Sequence, residues 1–301
     1  MLTRVICLVP HSEFELIDTF PAFLNYWRGS QADSIERRID RWEQEYLAAW
    51  PELRAKQIRE YKRGSVDWRR VARHRVFPQL EARLPDMEEA HGNLVASVGP
   101  VFQKAASLFN LQFKPRFVIY VGIGIGAGWG TRFGGNRAVL FGLENVAEMG
   151  WTNRQMTEAL VAHELGHLAH QEWRTRAGLS EQPERGGPYW RLYEEGFATR
   201  FEGEVTGRIR WPREPGWLSW CQQNRSWLAT TFLRAVQRRS SVRRFFGSWY
   251  KIRGHAECGY FLGHEVVGWW RRKETLPEIA VLSEDEVRHR SRESLLKMKL
   301  L

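Results

Sequence analysis

Cysteine is scarce in this chain. Its 301 residues include three, Cys7, Cys221 and Cys258, with no CxxC pair among them. That spacing excludes a disulfide framework and suits a reducing compartment. Long apolar runs are missing too. No stretch approaches the roughly 20 residues of a membrane-spanning helix, and the early apolar run ending at Pro10 is too short for a signal-peptide core. The expectation is a soluble, cytoplasmic protein with no membrane partner. Seven glycines lie between Gly122 and Gly135, yet no complete G-x-G-x-x-G or P-loop pattern occurs and no helix is predicted directly after them. This argues against a nucleotide loop. A hairpin or edge strand beside a cleft fits the segment better, because glycine lets another backbone come close. Internal repeats and low-complexity tracts are absent.

Acidic residues are outnumbered by basic ones, 35 to 45, for a net charge of +10. Basic runs at Arg234–Arg244 and Arg271–Lys273, with Trp and Arg interleaved from Trp211 to Arg253, are compatible with nucleic-acid contact. No recognised nucleic-acid motif accompanies them, so an Arg-rich solvated surface is the preferred reading. Tryptophan is abundant at fifteen residues, and most are expected to pack, because bulky aromatics dominate buried area.

The informative motif is His163-Glu164-Leu165-Gly166-His167. Two histidines at i and i+4 lie on one helix face, one turn apart, so both imidazoles reach a single metal ion. Glu164 points near that ion and is placed to take a proton from the attacking water. Thr152 reads as the N-cap of this helix, with Gln155 completing a capping box and Trp151 against Met156 as a staple. Leu160, Val161, Leu165 and Leu168 make the helix apolar, and buried histidines need partners.

A catalytic zinc needs a third ligand and an open position. Downstream, Tyr193-Glu194-Glu195-Gly196-Phe197-Ala198-Thr199 lies in a second helical run that starts at Pro188. Its Trp190, Tyr193, Phe197 and Phe201 recur at helical spacing. The small Gly166 and Gly196 permit the two helices to approach closely. HELGH followed by a helix carrying EGFA resembles the gluzincin metallopeptidases. More narrowly it is similar to a domain family of unknown function predicted to be a zinc-dependent protease, over about residues 117–270. The resemblance implies Glu195, rather than Glu194, as the third ligand of a Zn²⁺ ion. The separation from His167 is long for that family, which fits an inserted loop from Ala177 to Gly187. Thr199 stands where some gluzincins carry an Asp that orients a histidine ligand. His170, three residues after His167, reads either as a support behind the metal ligands or, by preference, as exposed.

Tyr260, in Gly259-Tyr260-Phe261-Leu262-Gly263, and His264 share a face of a helix predicted over about 256–269. Gluzincins supply an oxyanion donor from such a helix, and Tyr260 is the better candidate. The expected fold is mainly α with a small β-sheet (α+β), zincin-like. It comprises an N-terminal helical region at 1–112, a catalytic domain at 113–275 and a C-terminal peripheral helix at 276–301. Strands are predicted at Phe117–Val121 and Ala138–Phe141, and helices from about Trp217 to Tyr250. The expected function is a zinc-dependent hydrolase, most directly a metallopeptidase acting on a peptide or protein. Glu164 is its general base. Two alternatives stay open: a zinc hydrolase of a small amide or modified peptide, and a non-catalytic zinc-binding regulatory protein.

Overall fold

The first unit is built on a sheet whose strands are far apart in sequence. A computed structural model describes residues 4–7, 13–212, 214–247 and 249–300, the side chains of 4–7 excepted; the Cys7 thiol and Pro10 therefore lie outside the described residues. The chain packs as two units, Met1–Glu164 and Leu165–Leu301. Among the described residues the structure is mainly helical with a small sheet, and no helix is long and apolar enough to cross a membrane.

In the first unit, β1 (Arg4–Cys7) and β2 (Phe14–Asp18) precede α1 (Phe20–Gly29), α2 (Ile35–Arg41), α3 (Pro51–Arg63), α4 (Trp68–Val71) and α5 (Phe77–Phe109). Then come β3 (Arg116–Tyr120), β4 (Gly128–Phe133), β5 (Asn136–Gly142), α6 (Leu143–Glu148) and α7 (Arg154–Arg176). The five strands are ordered β1-β2-β3-β5-β4. β2, β3 and β5 run parallel, and β1 and β4 are antiparallel edges. Residues 1–112 are mostly helical, as their periodicity predicts, but they also supply two strands. β2 escapes a local reading because it is five residues long and pairs with β3 a hundred positions away, Leu16 opposite Phe117.

The expected cap of α7 needs correcting, and α5 is helical through both Pro85 and Pro100. An interior proline costs about 3 kcal/mol. Here it is offset by a long buried face that includes Leu80, Met87, Leu94, Val98 and Phe102. The N-cap of α7 is Asn153, whose Oδ1 accepts from Met156 N at 3.0 Å. Thr152 lies one residue too early for that role, since α7 starts at Arg154; its hydroxyl donates to Glu89 of α5 at 2.6 Å.

The second unit holds the rest of α7, then α8 (Pro188–Thr206), α9 (Trp217–Gln223), α10 (Arg225–Gln237), α11 (Cys258–Trp270), α12 (Leu276–Ala280) and α13 (Glu284–Leu300). The helical stretch predicted to reach Tyr250 stops at Gln237. A small hairpin, β6 (Lys251–Ile252) and β7 (His255–Ala256), follows and turns on Arg253 and Gly254. Both turn residues have positive φ, 53° and 88°, as a two-residue hairpin loop requires. Packing of α8 on α11 is the principal contact of this unit, and it is made through glycine. A Cβ on Gly196 would lie 2.1 Å from the Gly263 carbonyl oxygen. Gly196 therefore faces α11, while Gly166 of α7 is the residue that fits against α8, with Ala198 Cα 3.0 Å from where its Cβ would be.

Candidate metal centre

One continuous helix, α7, presents His163, Glu164 and His167; the boundary between the two units falls inside it, after Glu164. Ligand atoms of His163, His167 and Glu195 all lie within 4.8 Å of one another. Glu195 Oε2 is 3.5 Å from His167 Nε2. His163 and Glu195 are buried, and His167 is half-buried. Among the described residues no other trio of His, Cys, Asp or Glu meets this condition. Glu195 belongs to the group and Glu194 does not. Two imidazoles and a carboxylate are a donor set that suits zinc, and three convergent donors in a mostly buried setting fit one small divalent ion.

Glu164 is 6 % exposed and sits against β4. A Cβ on Gly128 would come within 2.7 Å of its Oε1 and 2.8 Å of its Cγ. Only glycine at this position lets the strand lie so close to that carboxylate. The glycine-rich segment is thus an edge strand, as its composition suggested, and it returns to β5 through Gly134-Gly135, both at positive φ. Gly142 N donates to Ala127 O at 3.1 Å. Bonded and non-bonded pairs alternate along an antiparallel ladder. By the register of β4 on β5, Gly128 and Gly130 therefore direct their main-chain groups away from β5.

The loop before β4 is held by side chains that sequence reading did not identify. Glu144 accepts from Gly122 N at 2.7 Å and Gly124 N at 3.0 Å. Gln57 Oε1 accepts from Ile123 N at 3.2 Å, and the Tyr61 hydroxyl donates to Ile123 O. These amides are committed to protein acceptors, which is further reason not to read the segment as a phosphate cradle. Burial pushes the Glu144 carboxyl up to about 7. Nothing in the local sequence marks Glu144 or Gln57, since both act across folded distance.

His170 corrects an expectation: it is 2 % exposed rather than solvated. Trp190, Tyr193 and Phe197 surround its ring edge-on. Its Nε2 is 2.8 Å from the Tyr193 hydroxyl, which itself donates to Ile279 O at 2.9 Å. Tyr193 has one proton, so His170 must donate from Nε2. Burial holds its basicity well below the usual histidine range. Thr199 donates to the Glu195 carbonyl of its own helix at 2.8 Å, so its hydroxyl is turned back along α8.

Tyr260 and His264 both lie on α11. The half-buried Tyr260 packs its ring on Phe246 at 6.1 Å. His264 is buried edge-on to Trp211 at 5.3 Å, and burial pushes its pKa down to about 3. Neither belongs to the three-donor group. Across the basic region, Arg253 lies over the Trp227 ring and Arg243 over Tyr250, so these aromatic faces are covered by the chain's own guanidinium groups. Compared with family models, with curated proteins and with solved structures, the chain matches none.

Proposed function

We propose that this chain is a zinc-dependent hydrolase of zincin-like architecture, acting as a metallopeptidase. The observation that carries the reading is the convergence of His163, His167 and Glu195, next to a buried carboxylate one residue along the same helix. His163, His167 and Glu195 would hold the ion. Bound there, zinc supplies Lewis-acid polarisation of the scissile carbonyl and acidifies the attacking water. Glu164 accepts the proton of that water at its carboxylate and returns it to the leaving amine. Its contact with Gly128 holds it in one place. The outward main chain of Gly128 and Gly130 offers an extended peptide a strand to pair with, which gives binding that does not depend on side chain. Tyr260 is the proposed donor to the developing oxyanion.

The test combines metal content with turnover of a peptide library. Wild type should carry one zinc per chain, Glu195→Ala should lose it and Glu194→Ala should keep it. Glu164→Gln should keep zinc but lose hydrolysis by several orders of magnitude. No zinc in reconstituted wild type, or near-normal hydrolysis by Glu164→Gln, would overturn the reading.

A further inference from the structure

Glu195 uses its two carboxylate oxygens differently. Oε2 faces His167 Nε2 at 3.5 Å, and Oε1 receives Arg191 Nη2 at 2.9 Å. Arg191 stands one turn earlier on α8 and is half-exposed, while the Glu195 side chain is 6 % exposed. Helix energetics alone give little reason for this pair, because a cation placed N-terminal to its acid at i, i+4 is the weaker order. A buried carboxylate, by contrast, needs hydrogen bonds to stay ionised.

The guanidinium is itself supported. Its Cζ lies 5.5 Å from the centroid of the Phe246 ring. That ring is 8 % exposed and wedged over Gly259, where a Cβ would meet it at 2.5 Å. Phe232 and Tyr260 also pack against it. Arg191 is therefore steadied by the N-terminal end of α11 while it holds a residue of α8.

We propose that Arg191 is a positioning residue for Glu195. It engages Oε1 and presents Oε2 alone to the metal, beside His163 and His167. The proposal rests on the metal-site reading above. A carboxylate tethered through one oxygen would favour offering the other to the ion. Partners that hold a metal ligand typically contribute 10- to 100-fold in metal affinity. Arginine suits the task because its planar fork sets direction, which a lysine ammonium does not.

The experiment is zinc affinity by competition with a chromophoric chelator, on the full-length apoprotein. Wild type, Arg191→Met, Arg191→Lys and Glu195→Ala are compared, each with its apo Tm. Arg191→Met should weaken zinc binding about 10-fold or more at an unchanged apo Tm. Arg191→Lys, which keeps the charge without the fork, should recover part of the loss. Equal or tighter binding by Arg191→Met, while Glu195→Ala has lost zinc, would overturn the role of Arg191 alone. No zinc binding by wild type would overturn the metal site and this proposal together.

Discussion

Gly128→Ala probes the geometry around Glu164 most directly. The added Cβ would sit 2.7 Å from Oε1, 2.8 Å from Cγ and 2.9 Å from Cδ of Glu164, against 3.4 Å or more for ordinary contact. The carboxylate must therefore retreat by about 0.7 Å. All three nearest atoms belong to Glu164, so the metal donors are not the groups displaced. Because the colliding group is a side-chain end, relief by rotation should limit the stability cost to about 1 kcal/mol, the low end for overpacking. Chemistry is less forgiving, since a misplacement near 1 Å costs on the order of 100-fold. The expected result is full zinc content, a Tm close to wild type and kcat lower by about 10- to 100-fold, with KM changing less. Gly126→Ala is the control, because its Cβ meets only Gly128 O at an ordinary 3.5 Å. If zinc-loaded Gly128→Ala turned over within twofold of wild type, Glu164 would not be the proton acceptor.

Other perturbations test the frame. Gly196→Ala forces a methyl against the Gly263 backbone, where a Cβ would be 2.1 Å from O and 2.2 Å from C. Neither backbone can rotate away, so a loss of about 3 kcal/mol is expected in urea denaturation, whereas Gly92→Ala, with nothing within 4 Å, should be neutral or stabilising. Glu144 has a folded pKa of about 7 against an ordinary 4.5. A raised carboxyl pKa means its contribution is fully present below the unfolded value and is lost as pH rises through the folded one. From pH 4.5 to pH 8 wild type should lose about 3 kcal/mol relative to Glu144→Gln; a constant difference across that range would show that this carboxyl does not titrate as buried.

The sequence by itself determined the local features. Spacing of i and i+4 put His163 and His167 on one helix face whatever surrounds them. Pro188 after Gly187 started α8, and the stripe Trp190, Tyr193, Phe197 and Phe201 declared its buried side. The glycine run announced an edge strand. Tertiary structure alone decided what depends on distant partners. The EGFA resemblance implied Glu195, but residue type does not separate it from the adjacent Glu194, and the packing of α8 is what directs the first toward His167. Thr152 and Asn153 are both good caps, and the helix starts at Arg154, so Asn153 caps it while Thr152 bonds Glu89 on another helix. His170 looks solvent-facing until Trp190, Tyr193 and Phe197 close around it. Likewise β2 becomes a strand only when β3 lies beside it. Periodicity and capping act over a few residues and can be read along the chain. Burial, pairing and the choice between equal side chains arise from contacts that exist only after folding.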